Sequence, residues 1–341
     1  MKRIYLHVGN FKTGTSAIQR FCHQHRSQLL KQGLNYPLSA RPAGTPHSHS
    51  ALPLSLYNKY GAFTPRWYTE TETFEQAAEN VRSELKASEA DSFLISSEEL
   101  FRFPSLPEPV LGKASEDLSR LFTGYEVIVI MYVREPLSFA RSWYNQINKS
   151  PLPCGRFSNF VYYLQHSYMN PEVNARFWRK IFGDDSLIIR PYTSDPNEHI
   201  DAFLALMGIT SSIDTAAKTD RVNQGLDEGS LEADRLAKVY SLRSLAEREA
   251  FLGSDALRST AAMTRLKQKI GVINTRFDKF CEDEGLTGVR SKLTLEEILV
   301  HEEIVNHRLA QPSWHLRRFY YRVVNHPTTV KLINFLKRLT T

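Results

Sequence analysis

The sequence predicts an α/β protein, a three-layer fold with a mostly parallel central sheet, followed by a helical C-terminal extension. Three observations point there. Short apolar runs of strand length alternate with segments of helical periodicity as far as about residue 225. The most apolar run, Glu126–Val133 (EVIVIMYV), is hydrophobic on both faces, as a central parallel strand must be. A glycine-bearing turn joins the first strand to the first helix, the usual joint of a doubly wound sheet.

In order along the chain, residues 3–8 (RIYLHV) read as a buried strand ending at Gly9. Thr15 to Leu30 reads as one helix with Ile18, Phe21, Cys22, Leu29 and Leu30 facing the core. The segment 37–66 holds Pro37, Pro42, Pro46, Pro53 and Pro65 and is expected to be loop-rich. Phe74–Ser88 has helical periodicity, and Phe93–Ser97 (FLISS) is the second strand. After Glu126–Val133, Pro136 opens a helix to about Lys149, in the first turn where proline is tolerated. Ser186–Arg190 is a further strand, and Asp195 or Asn197 caps a helix that ends at Gly208. Beyond about 225 only helices are expected: Glu228–Phe251, Ala256–Glu284 and Thr294–Leu309, the last opened by a Thr294/Glu297 capping box. The expected divisions are a core at 1–225 with an acceptor-side loop region at 37–70, a helical extension at 226–310, and a basic amphipathic tail at 311–341.

The 341 residues carry 43 Lys and Arg against 37 Asp and Glu, a net charge of +6. Seven of the basic residues lie between Arg308 and Thr341, a stretch with no Asp or Glu. That leaves 36 basic against 37 acidic side chains in the first 307 residues, a balance of −1. The positive charge belongs to a tail, and no nucleic-acid partner is expected for the body. Leu332, Ile333, Leu336 and Leu339 share one helical face, so the tail (313–341) reads either as a peripheral contact with an anionic membrane surface or as a helix packed on the body. Three scattered cysteines, Cys22, Cys154 and Cys281, exclude a disulfide scaffold or a zinc ribbon. The longest apolar run, Val127–Val133, is too short to span a bilayer, and a cytoplasmic location is expected.

The loop Gly9–Ser16 (GNFKTGTS) has the G-x4-G spacing of P-loop proteins, in which successive N–H groups and a helix N-terminus hold phosphate. A nucleoside triphosphatase places Lys directly after the second glycine; here that residue is Thr15, and the lysine is Lys12, inside the loop. A Walker-B strand ends in a carboxylate for Mg²⁺. The central strand here runs into Val133-Arg134-Glu135-Pro136, so a cation comes first. Two cationic anchors fit an anionic donor bound without metal.

These residues carry a resemblance. HVGNFKTGTSAIQ resembles the 5′-phosphosulfate loop of sulfotransferases that use 3′-phosphoadenylyl sulfate (PAPS), in the form found in bacterial members. VIVIMYVREPLSFARSWYNQ is similar to the family's 3′-phosphate strand–helix element, with Arg134 at the strand end and Ser142 eight residues later. Weaker similarity runs through FWRKIFGDDSLIIRPY and FLALMGI to Arg221-Val222-Asn223, so the likeness covers roughly residues 3–225 with gaps. The resemblance implies that Lys12 bridges the leaving phosphate and the sulfuryl group. It implies that Thr13, Gly14, Thr15 and Ser16 donate to the 5′-phosphate, and that Arg134 and Ser142 hold the 3′-phosphate. It also implies a hydroxyl acceptor, a carbohydrate or glycolipid, and PAP as product, with no metal. The R-K-G-x-x-G-type segment of the animal cytosolic enzymes is absent; Arg265, Lys267 and Lys269 before Gly271 read as a solvated helix surface.

The acceptor hydroxyl needs a base. Glu98 follows the FLISS strand, at the end of an open sheet where ligands bind. His47 and His49, in H-S-H on the proline-rich loop, are its rivals and read as surface histidines. Glu99 is expected to point elsewhere. Two other classes stay open: a small-molecule kinase on the same P-loop scaffold, and a non-catalytic nucleotide- or glycan-binding protein.

Overall fold

A computed structural model of the chain describes residues 1–209, 228–242, 244, 247–248, 259–303, 316, 319–321 and 323. Its strands are β1 (Arg3–His7), β2 (Leu34–Asn35), β3 (Ser92–Ser96), β4 (Glu126–Val133) and β5 (Leu187–Pro191). Its helices begin with α1 (Thr15–Gln24), α2 (Arg26–Lys31), α3 (Ala51–Lys59), α4 (Phe74–Ala87), α5 (Glu108–Leu121) and α6 (Pro136–Asn148). They continue with α7 (Phe157–Tyr163), α8 (Pro171–Phe182), α9 (Pro196–Ala205), α10 (Glu228–Ser241), α11 (Thr260–Asp283) and α12 (Leu295–Glu303). The chain forms two compact units: residues 1–134, 167–222 and 279–289 in one, and 135–166, 223–278 and 290–341 in the other. They interleave along the sequence.

The first unit is an α/β body on a five-stranded, all-parallel sheet of order β2-β3-β1-β4-β5. The four strands expected from the apolar runs are present, displaced by no more than a residue at either end. β2 was not expected, because two residues show no periodicity. β1 is central, and Ile4, Tyr5, Leu6 and His7 are buried on both of its faces. Beneath one face, Ile18, Phe21 and Cys22 of α1 meet Ile200, Phe203 and Leu204 of α9 in a single core with Leu94 and Ile130 of the sheet. Burying each such side chain contributes about 1.5–3 kcal/mol.

Several expectations change. The helix expected from Thr15 to Leu30 is broken at His25, whose N–H and Nδ1 both bond to the Phe21 carbonyl (2.9 and 3.0 Å) and end α1. The loop-rich segment contains α3; Pro53 is its third residue, where a missing N–H removes no helical bond. Asp195 is the N-cap of α9, accepting from the N–H of Asn197 and of Glu198.

In the second unit α6 starts at Pro136 as expected. The Thr294/Glu297 capping box is half-formed: Thr294 accepts the Glu297 N–H, but the Glu297 carboxylate pairs with Arg141 at 2.7 Å instead of turning back. Lys269 is not a solvated charge. Its Nζ donates to the carbonyls of Val161, Tyr162 and Leu164 at the C-terminus of α7. Burial pushes its ammonium down to about 8, against three carbonyls that favour the charge. The helix expected at 228–251 is seen as α10, and that at 294–309 as α12. Asn223 and nearly all of the tail lie outside the described residues. No helix among the described residues is long and apolar enough to cross a membrane.

Candidate functional site

The C-terminal ends of β1, β3 and β4 lie side by side, with β1 between the other two. The chain leaves β1 toward the β2–β3 side and β4 begins the other side, so these ends form the crevice where open parallel sheets bind ligands. The glycine loop follows β1, Glu98 follows β3, and Arg134 follows β4. All three belong to the first unit.

The loop is tightly wound. Gly9, Lys12 and Gly14 have φ of +63°, +65° and +77°. Lysine in this region costs about 1–2 kcal/mol, so something must hold it. Arg134 does: its Nη1 donates to the Lys12 carbonyl, and its guanidinium lies over the Tyr192 ring at 4.7 Å. Thr13 is fully buried; its hydroxyl donates to the Asn10 carbonyl at 2.6 Å and accepts the Asn10 N–H at 3.2 Å. That corrects one expectation, because the Thr13 hydroxyl closes the loop on itself and is not offered to a phosphate. Gly14 is the N-cap of α1 in the left-handed conformation with no side-chain cap. Ser16 is exposed on the first turn. The Thr15 hydroxyl is buried without a hydrogen-bond partner among the described residues, and a Cβ built on Gly9 would stand 2.8 Å from it.

Glu98 opens a 3₁₀ helix (Glu98–Ser105), and its Cβ and Cα pack on Gly9, 3.6 and 3.7 Å from a Cβ built there. Its Oε2 accepts from Gln19 Nε2 at 3.2 Å. Burial raises its pKa above the usual carboxylate value; Gln19 and the Lys12 charge pull the other way. Glu99 turns aside to an ion pair with Arg102 (2.8 Å), as expected.

His49 is corrected outright. It is completely buried, not a surface histidine. Its Nδ1 accepts the Ser96 N–H at 3.1 Å, so the proton is on Nε2, which donates to the Pro37 carbonyl at 3.0 Å. Both nitrogens are engaged and burial pushes the imidazole down to about 3, so it is no base for an acceptor and no metal ligand. His47 stays half-buried, its pKa lowered by burial and then by Arg20, His23 and Arg41.

Ser142 lies on α6 in the second unit, half-buried. Within that unit Glu135 is the N-cap of α6. Its carboxylate accepts the N–H groups of Leu137 and Ser138, the Ser138 hydroxyl and the Lys292 N–H. The carboxylate nearest to a Walker-B position is thereby committed to capping the start of a helix.

Sequence reasoning missed two groups. Gln19 ties α1 to the end of β3 through Ser96 and Glu98. His199, on α9, donates Nε2–H to the Thr13 carbonyl at 2.9 Å and with Tyr192 walls the loop at Gly14. Burial pushes it to about 4, and its Nδ1 is buried without a partner among the described residues. Gln19 carries a weak local signal, since it lies on the helix face that holds Cys22 and Thr15. His199 carries none, being 186 positions from the Thr13 carbonyl it supports.

A cavity of about 490 Å³ lies elsewhere on the first unit, between α8 and residues 280–284, and contains none of these residues. Two of its arginines are paired, Arg176 with Glu172 and Arg179 with Glu284. No known protein-family model matches the chain, and no curated protein is similar to it in sequence.

Proposed function

We propose that the chain is a PAPS-dependent sulfotransferase on a P-loop-type fold, moving the sulfuryl group to a hydroxyl of a carbohydrate or glycolipid. The observation that carries this reading is the convergence of Lys12, the α1 N-terminus, Arg134 and Glu98 on adjacent strand ends. The Thr15 hydroxyl, without a partner among the described residues, and the first turn of α1, which has no side-chain cap there, suit an incoming phosphate oxygen. The first side chain after β4 is a cation, and the next is a helix cap, which fits a 3′-phosphate better than a metal-bound triphosphate.

PAPS supplies the sulfuryl group and leaves as PAP. Around it the chain's residues position and balance charge. Lys12 and the helix start favour the negative charge that grows on the leaving phosphate. Glu98 takes the hydroxyl proton as the acceptor oxygen bonds to sulfur and the sulfur–phosphate oxygen bond breaks. A carboxylate with a raised pKa is a stronger base than an exposed one, and Gln19 holds Glu98 in place through Oε2. Arg134 is assigned to the 3′-phosphate.

Calorimetry with PAP, then turnover with labelled PAPS and a panel of glycan acceptors, tests the proposal. Micromolar PAP affinity is expected, reduced at least tenfold in Lys12→Ala and Arg134→Ala. No PAP binding, or Mg²⁺-dependent ATP turnover in its place, refutes it. PAP binding with no transfer to any acceptor would make the chain a binding protein on this fold.

A further inference from the structure

Two arginines and two histidines, Arg20, His23, Arg41 and His47, gather on α1 and the 41–47 loop and have no role in the scheme above. Arg20 and His23 lie three residues apart on α1 and so share one face. Arg41 Nη1 is 2.6 Å from His23 Nδ1 and donates to the Pro46 carbonyl at 3.2 Å. Its Nη2 donates to the Tyr36 carbonyl at 3.1 Å, and its guanidinium lies 4.5 Å from the Tyr36 ring centre. Tyr36 in turn donates its hydroxyl to the His47 carbonyl at 2.7 Å. The loop 41–47 is therefore tied down beside α1, and His47 feels Arg20, His23 and Arg41 as neighbouring charges.

Guanidiniums set among imidazoles on a partly buried surface hold those imidazoles neutral and leave positive charge without a counter-ion unless something neutralises it. The neighbouring carboxylates are already engaged. Glu84 accepts Arg26 and the N–H groups of Leu38 and Ser39, and Glu70 accepts the Ala43 N–H. Arg20 makes no ion pair or hydrogen bond among the described residues. His23 accepts from Arg41 on Nδ1, which leaves Nε2 as an N–H donor. Two guanidiniums and two imidazoles make a donor set for an oxyanion.

Position says what the oxyanion belongs to. Gln19, which holds Glu98, lies on the same helix as Arg20 and His23, on the adjoining face of α1. His49, two residues after His47, is bonded through its backbone and its ring to Ser96, two residues before Glu98.

We propose that Arg20, His23, Arg41 and His47 form the subsite for an anionic group of the acceptor, which is thus a carboxylated, sulfated or phosphorylated glycan and not a neutral one. This rests on the transferase reading of the glycine loop. The guanidiniums carry the charge, and the imidazoles add donors that gain protons as the anion arrives.

The test is calorimetry on the full chain with a galacturonate hexamer, its carboxyl-reduced counterpart, a dextran sulfate oligomer, a phosphorylated mannose oligomer, and phosphatidylglycerol vesicles, with PAP titrated separately. At least one anionic oligomer should bind tenfold or more tighter than the neutral one. Arg20→Ala and His47→Ala should each remove about tenfold of that affinity and leave PAP affinity unchanged. The imidazole pKa of His47, followed by NMR, should rise on binding. Equal affinity for charged and neutral oligomers, indifference to Arg20→Ala, or binding to vesicles alone overturns the proposal. PAP binding without any of these effects overturns the subsite and spares the transferase. Failure of PAP to bind, with the oligomer effects intact, removes the transferase and leaves an anionic-glycan site.

Discussion

Gly14→Ala is the sharpest perturbation of the loop. A Cβ there would lie 2.7 Å from His199 Cδ2, 2.9 Å from His199 Nε2 and 3.3 Å from Tyr192 Cε2. The backbone φ of +77° adds about 1–2 kcal/mol of strain for an alanine. The imidazole must move, which breaks its 2.9 Å bond to the Thr13 carbonyl. Losing that bond and leaving a buried carbonyl unpaired costs about 1–3 kcal/mol more. The expected loss is therefore roughly 2–5 kcal/mol in urea denaturation, with PAP affinity reduced at least tenfold. Gly33→Ala is the control: its φ is +84°, but nothing lies within 4 Å of the added Cβ, so only the strain remains. The double variant Gly14→Ala, His199→Ala should recover part of the loss, because the two changes share one contact. Equal melts and equal PAP affinity for Gly14→Ala and Gly33→Ala, with no coupling to position 199, would refute the assignment of His199 as the wall of the loop.

Three further outcomes are expected. His49→Ala should destabilise by roughly 2–5 kcal/mol by leaving the Ser96 N–H and the Pro37 carbonyl unpaired, while the protein that remains folded keeps its kcat; a stable, inactive variant would restore His49 as a base. Glu98 has a folded pKa above its unfolded value, so its stabilising contribution is present in acid and lost as pH rises through the folded value. Glu98→Gln should therefore melt higher than wild type at pH 7, lose that advantage near pH 4, and abolish transfer. A lower melting temperature at pH 7 would contradict the burial of the charge. His7, His49 and His199 are held neutral with pKa values of about 3, 3 and 4 against 6.5 unfolded, so the stability they contribute is present above 6.5 and lost as pH falls toward 3. Urea midpoints should fall steadily from pH 6.5 to 4, and midpoints independent of pH across that window would count against all three environments.

The strands were legible because each is a run long enough to show its apolar character, and β4 stands out because both of its faces are buried. The glycine loop was legible because its spacing, its lysine and its place between strand and helix are all local. Glu98 was legible by position, at the end of a strand. His49 was misread because composition marks a Pro/Gly/Ser/His segment as surface loop. What buries it is a pairing with Ser96, 47 residues on, that no local pattern announces. α3 was hidden for the same reason, since its proline sits at the one end of a helix that tolerates it. Lys269 looked like an ordinary helical charge, because its acceptors are the carbonyl ends of α7, more than 100 residues earlier.

By itself the sequence determined four of the five strands, the tight turn between first strand and first helix that its glycines impose, and the cation that follows the strand Glu126–Val133. Those follow from period, turn chemistry and chain order. Only the tertiary structure decided which strands are neighbours, and hence that Lys12, Glu98 and Arg134 share one end of the sheet. It also decided that Arg134 and His199 hold the loop by its carbonyls, and that one histidine of H-S-H is a buried brace while the other stays half-buried near Arg20, His23 and Arg41. Those are contacts between residues far apart in the chain, settled by packing and by the need of every buried polar group for a partner.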